Sequence, residues 1–153
     1  MFAASRALLR FYRLPECERT LLIEAALLLP VVHAVQTVLP FKRWRALLTV
    51  HAGDNSATPA ATNPVAAPTA PQVAQAIERA RKGVPGIYKC LPQAYAGHLL
   101  LHRHGHASRV QVGVARDTKG AVEAHAWVEW QGKVLIGQLP DLARFVPLPP
   151  LQV

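Results

Sequence analysis

Residues 123–130 read Glu-Ala-His-Ala-Trp-Val-Glu-Trp, and side chains of different character alternate along them. A period of two is typical of a β-strand whose faces have different environments. His125, Trp127 and Glu129 are therefore expected on one face, with the even-numbered residues on the other. A histidine in such a strand either packs in the core or serves a reactive side chain from elsewhere in the chain.

The segments on either side of this strand also have strand character. Residues 110–114 alternate valine with smaller or polar residues, and residues 117–120, Asp-Thr-Lys-Gly, predict a turn. After the central strand, residues 131–133 predict a hairpin turn into a further strand over 134–136. Because helical patterns precede these hairpins, the order of elements predicts an α+β fold with an antiparallel sheet.

Two helical patterns come before the strands. One begins at residue 72 and stops near Gly83, and its apolar face consists of Val73, Ala76, Ile77 and Ala80. The other covers residues 90–105 and ends in a glycine. Pro92 suits a first helical turn, where its missing N–H group costs nothing. The pattern therefore places Cys90 at a helix N-terminus.

The remaining sequence predicts how the chain is divided. Residues 1–50 predict a helical N-terminal region, with a long apolar helix broken or kinked at Pro30 and ended near Pro40. Residues 51–71 are rich in alanine, proline and threonine without an apolar period, which is typical of a flexible loop or linker. Residues 72–153 are then the domain that carries the chemistry.

The charge and the cysteine content limit which partners and which cellular compartment fit this chain. The 153-residue chain has a formal net charge of +8, but its basic residues are scattered and form no nucleic-acid-binding motif. We therefore expect no nucleic-acid partner. Two cysteines, Cys17 and Cys90, are too few for a disulfide framework, which favours a reduced, cytoplasmic protein.

The apolar run over residues 20–39 has roughly the length of a membrane span. Glu24, Pro30 and His33 interrupt it. The interruptions favour a helix that is buried or faces a partner protein, and membrane contact is the less favoured alternative.

A cysteine at a helix N-terminus has distinctive chemistry. The helix dipole and the free N–H groups favour the thiolate, and the same groups can bind the oxyanion that forms when the thiolate attacks a carbonyl. His125 could then act as base and acid for Cys90. The pattern alone leaves open that Cys90 is an inert, partly buried thiol, and that Trp127 fills the core instead of lining a site.

Histidines near the end of the second helical pattern raise the alternative of a metal site. His98 and His102 are spaced to share a helix face, and His104 and His106 follow. No glutamate occupies the base position of a zinc-protease helix between the first two. We therefore predict no metal, and a solvated, histidine-rich helix end.

Several stretches together resemble the B-type leader peptidases of lasso-peptide biosynthesis, which belong to the transglutaminase-like group of the papain-type fold. The resemblance covers nearly the whole chain except the linker, and its most specific string is Ala-His-Ala-Trp-Val-Glu. The stretches that carry it are residues 18–27, 39–42, 90–96, 99–100, 104–105, 112–114, 124–129 and 145–148.

The resemblance implies a fold, a reaction and partners. The fold would place a catalytic cysteine at the N-terminus of a central helix packed on an antiparallel sheet, here Cys90, with His125 as the base. No cofactor is implied. The reaction would remove the leader region of a ribosomally made precursor peptide, whose core an ATP-dependent lasso cyclase then closes. Because residues 1–50 are too short and too helical for the family's winged-helix recognition domain, we expect a separate recognition protein.

The resemblance is weakest at the third catalytic residue. Relatives carry an aspartate roughly a dozen residues after the histidine, to orient the imidazole. Gly137 and Gln138 occupy those positions here. We rank Asp141 first as the replacement and Gln138 second. Asp141 could equally be a cap or turn residue.

Two other function classes stay open on the sequence alone. The first is a non-catalytic scaffold or binding module for the cyclase or a membrane. The second is another acyltransferase or amidase of the same fold.

Overall fold

The computed structural model describes residues 11–12, 14–40, 43, 67–83 and 89–149. Most of the predicted linker, residues 51–66, therefore lies outside the described residues. The same holds for most of the basic segment that follows Pro40.

Three long helices and a four-stranded sheet make up the described fold, which confirms the predicted α+β class. The helices are α1, Glu16–Val38; α2, Ala70–Gly83; and α3, Cys90–Arg103. The strands are β1, Arg109–Arg116; β2, Val122–Trp130; β3, Lys133–Ile136; and β4, Val146–Pro147, with a short 3-10 helix over Leu142–Arg144 before β4.

Helix α1 ends at Val38, close to the stop predicted from Pro40, but it continues through Pro30 without a break. A proline inside a helix removes one backbone hydrogen bond, and tertiary packing can offset that loss. Leu29 and Val32, on either side of Pro30, are both buried in the core. The helix is therefore not broken at Pro30, because packing holds this turn in helical form; the kink, the other form of the prediction, stays a prediction.

The sheet has the order β3-β2-β1-β4, and every strand pair is antiparallel. Both the central strand and the strand before it form where the alternation predicts them. The last pair, between β1 and β4, was not predicted. It is short, with Gly113 opposite Pro147 and Val114 opposite Val146.

The three helices pack on one face of the sheet, and the main core lies between them. Ala126 and Val128 of β2 belong to this core together with buried residues of all three helices. The opposite face carries a smaller cluster built from Ala115, Trp127 and Phe145. The two faces of β2 thus differ as its alternation predicts.

Among the described helices, α1 has the length and apolar composition of a helix that could cross a membrane. A core helix of a soluble protein meets the same criterion. Four side chains of α1 are buried in the core that it shares with α2 and α3: Leu21, Ala25, Leu29 and Val32.

Candidate active site

Cys90 is the first residue of α3, and Lys89 is the N-cap. The backbone N–H of Gln93 donates to the Lys89 carbonyl oxygen at 3.5 Å and opens the helical ladder. The N–H groups of Cys90 and Leu91 precede that first bond, and Pro92 has no N–H. Two main-chain donors and the positive end of the helix dipole therefore lie at the helix end that carries the thiol.

His125 lies on β2, on the face opposite the helices. Its ring stacks on Trp127 with 6.2 Å between ring centroids and lies 5.5 Å from the Phe145 ring. The stacking confirms that His125 and Trp127 share a face. The described pairing of β3 with β2 ends at Ile136 opposite Val128, and the next residue, Gly137, lies against the edge of β2 beside His125.

A cavity of about 540 Å³ opens at this edge, and both Cys90 and His125 line it. Its size suits a binding cleft for a small molecule or a short stretch of peptide. The sequence places these two residues 35 positions apart, and the fold brings them to one cavity. The other lining residues are Ala74, Gln75, Ile77, Glu78, Arg81, Gln93, Leu135, Ile136, Gly137, Gln138 and Leu139.

Among the described residues, the His125 ring makes a short polar contact from Nε2 to the carbonyl oxygen of Gly137, at 2.7 Å. A carbonyl can only accept, so Nε2 donates in this bond. The donor assignment leaves Nδ1 as the ring nitrogen with a free lone pair in the neutral state. Gly137 reaches this position with a φ of +82°, in the left-handed region that favours glycine.

Asp141 lies near His125, but its short contact is to another residue. Nε of Arg144 donates to a carboxylate oxygen of Asp141 at 2.6 Å. This bond holds the pKa of the Asp141 carboxyl below its usual range, and the charge of His125 adds a smaller effect in the same direction. The Asp141 carboxylate is exposed, and the described lining of the cavity does not include it. Its orienting role stays a prediction.

The second-ranked candidate, Gln138, does line the cavity, and its side-chain nitrogen donates to the Leu139 carbonyl at 3.2 Å. Trp127 is 3% exposed, and its indole N–H donates to Glu129 at 2.9 Å. Trp127 therefore fills the smaller cluster on the face of the sheet opposite the helices, and it also stacks on the His125 ring.

One wall of the cavity was not anticipated from the sequence. It comes from the polar side of α2, where Arg81 donates twice to Glu78, at 2.6 and 2.7 Å. These bonds, chiefly, lower the pKa of Glu78 to about 2, and Lys82 contributes to the same shift. In a sequence, a charged helix face is typical of solvated surface. The packing of α2 beside α3 identifies this face as a wall of the cavity.

Two of the histidines that suggested a metal site have separate partners. His98 is buried and its Nδ1 lies 2.8 Å from the Ser108 hydroxyl. Nε2 of His104 lies 3.0 Å from a carboxylate oxygen of Glu24. Within the part of the chain that the structure describes, no group of three or more metal-ligating side chains could hold an ion.

Comparison with known families gives one finding. The family model described as the transglutaminase-like superfamily matches residues 35–149, about three quarters of the chain, including Cys90, His125 and the whole cavity. No curated protein and no solved structure shows a significant match.

Proposed function

This chain belongs to the transglutaminase-like superfamily, and from that premise we propose that it is a cysteine peptidase that removes the leader from a lasso-peptide precursor. The superfamily supports the coarser statement, a cysteine-based peptidase or acyltransferase type of function. The finer assignment is supported by the resemblance of residues 90–96 and 124–129 to lasso leader peptidases. The observation that carries the proposed cysteine chemistry is the cavity that Cys90 and His125 share.

The proposed reaction begins at the thiol of Cys90. Its proton passes to Nδ1 of His125, and the sulfur attacks the carbonyl carbon of the scissile peptide bond. The carbonyl electrons move onto oxygen, and the N–H groups at the start of α3 stabilise the resulting oxyanion. Both donors are fixed by the helix, so they need no reorganisation during the reaction.

The second half of the reaction returns the enzyme to its starting state. His125 gives its proton to the leaving amine, which is the new N-terminus of the core peptide, and a thioester to the leader remains on Cys90. His125 then takes a proton from water, which attacks the thioester. The leader leaves with a free carboxylate and the thiol is restored.

The proposal includes partners and a location. A separate winged-helix protein would bind the leader and deliver it to the cavity, and an ATP-dependent cyclase would take up the freed core in the cytoplasm. The chain needs no cofactor for this reaction, because the helix N-terminus and the imidazole supply the electrophilic and basic groups.

The test is cleavage of the full precursor peptide by the full-length protein, with recognition protein and cyclase present, followed by mass spectrometry. Cys90→Ser should lower the cleavage rate by at least about 10³-fold, as loss of a nucleophile does. Cys17→Ser is the matched control and should keep the rate within about twofold, since Cys17 lies in α1 outside the cavity.

Two results would contradict the proposal. An unchanged rate in Cys90→Ser would favour the scaffold alternative, in which the chain supports cleavage by another protein. Transfer of the acyl group to an amine, without hydrolysis, would favour an acyltransferase of the same superfamily.

A further inference from the structure

We propose that the main-chain carbonyl of Gly137, and not the Asp141 carboxylate, orients the His125 imidazole towards Cys90. This inference rests on the proposed role of His125 as base, and it assigns the positioning group of that same site. The third group of the site, after Cys90 and His125, is then a main-chain carbonyl instead of a side chain.

The hydrogen bond between His125 and Gly137 is short. Nε2 of His125 lies 2.7 Å from the Gly137 oxygen, a short distance for an N–H···O bond. The bond holds the proton on Nε2 and leaves Nδ1 as the atom that can take the thiol proton. Gly137 also lines the cavity with Cys90, so the bond forms at the wall of the proposed site.

The backbone around Gly137 leaves no room for a side chain. A Cβ at this position would lie 2.8 Å from the Ala126 carbonyl oxygen and 3.0 Å from Cα of Trp127. Both are backbone atoms of β2, the strand that carries His125, and they cannot move independently of it. The left-handed φ and this close approach together let the chain bring its carbonyl to the imidazole.

The carboxylate of Asp141 already has a hydrogen-bond partner, Arg144. It accepts from Nε of Arg144 at 2.6 Å, and the same guanidinium also pairs with Glu123. Asp141 and Arg144 are exposed and Glu123 is half-buried, and together they form a charged network. Nε2 has a single proton to donate, so Asp141 could accept it only by displacing the Gly137 carbonyl.

A carbonyl differs from a carboxylate in what it does for the base. It fixes the tautomer and the ring direction, but as a neutral acceptor it stabilises the imidazolium less than a charged one. The ring is further held by stacking on Trp127 and by Phe145. Orientation of the base, more than charge stabilisation, is therefore the contribution of this group.

The experiment follows His125 by NMR in the resting, isotope-labelled full-length protein, and needs no substrate. A protected Nε2–H signal is expected, with a scalar coupling across the hydrogen bond to the carbonyl carbon of Gly137. The same samples, in a Cys17→Ala background, give the rate of Cys90 alkylation by iodoacetamide at neutral pH. Neither readout depends on leader cleavage, so a failure of this inference is distinguishable from a failure of the proposed function.

Three variants separate the competing acceptors. Asp141→Asn should keep the Nε2–H signal, its coupling and the alkylation rate within about twofold. Gly137→Ala should lose the coupling and slow alkylation roughly tenfold, the worth of about one hydrogen bond. Gly132→Ala is the matched control: Gly132 also has a left-handed φ, +74°, but its Cβ would meet nothing within 4 Å among the described residues. It should keep the wild-type signal and rate.

The inference is overturned if Asp141→Asn loses the Nε2–H signal or slows alkylation tenfold, because Asp141 would then be the orienting group. It is also overturned if the wild type shows no coupling to Gly137, or if Gly137→Ala keeps both readouts. Should Gly137→Ala fail to fold, the wild-type coupling and the Asp141→Asn variant still decide between the two acceptors.

Discussion

At the scale of the residue, the proposed chemistry depends on the groups that hold the imidazole of His125. Its Nε2 donates to the Gly137 carbonyl, and its ring lies against Trp127 and Phe145. The thiol lies at a helix end that has main-chain donors and no side-chain cap bond from Lys89. Backbone atoms, more than charged side chains, thus shape this site.

Buried His98 leads to a pH prediction at the same scale. Burial, chiefly, lowers the pKa of His98 below its ordinary value of 6.5. The unfolded chain therefore binds more protons at this residue than the folded chain between that lowered pKa and about 6.5. The free energy of unfolding should rise with pH through this window and fall on acidification below about pH 7.

Urea unfolding from pH 7.5 to 5.5 checks this prediction, with His98→Gln for comparison. The variant lacks the titrating group, so its stability should depend less steeply on pH. Equal slopes in the two proteins would show that His98 does not titrate differently in the folded and unfolded states.

At the scale of the element, Gly97 sets how closely α3 approaches β3. A Cβ on Gly97 would collide with Cδ1 of Ile136, a buried residue in the wall of the cavity. Overpacking of this kind costs about 1–3 kcal/mol, and the better helix propensity of alanine offsets roughly 1 kcal/mol of it. Gly97→Ala should therefore lower the free energy of unfolding by about 1 kcal/mol.

A double-mutant cycle measures this contact. Ile136→Val removes Cδ1, so adding Gly97→Ala to it should cost less than adding it to the wild type. Gly83→Ala is the control, because a Cβ on Gly83 meets nothing within 4 Å among the described residues. Additive effects of the two substitutions would contradict the proposed close approach.

The same scale shows what the sequence could and could not predict. Periodicity found α2, α3 and the first three strands, because apolar side chains must share a face. It could not predict that β3 ends opposite Val128, nor that the Gly137 carbonyl meets His125, because backbone hydrogen bonds leave no signature in residue type. Of the break or kink predicted at Pro30, the break does not occur, because neighbouring helices supply stability that a local pattern does not contain.

At the scale of the whole molecule, α1 shares one core with the helix that carries Cys90. Besides its buried side chains, Glu24 of α1 pairs with His104 at 3.0 Å and with Arg103 at 3.6 Å, at the C-terminal end of α3. The family match itself begins at residue 35, within α1. We therefore expect α1 to contribute to the stability of the catalytic part, and not to be a detachable extension.

A pair of leucines in α1 tests this expectation. Leu29 is 0% exposed and Leu27 is 65% exposed. Leu29→Ala should lower the free energy of unfolding of the whole chain by about 2–5 kcal/mol, the usual cost of such a cavity, while Leu27→Ala should stay within about 0.5 kcal/mol. A small effect of Leu29→Ala, or an equal effect of the two substitutions, would indicate that α1 folds apart from the rest.

The most direct test of the central claim, that Cys90 and His125 act as a pair, is the rate of Cys90 alkylation by iodoacetamide at pH 7. The background is Cys17→Ala, so that Cys90 is the sole thiol of the chain. His125→Ala should slow alkylation at least about tenfold, because the imidazole no longer accepts the thiol proton. His102→Ala, the same change outside the cavity, should leave the rate within about twofold. Equal rates in His125→Ala and its control would contradict the pairing of Cys90 with His125.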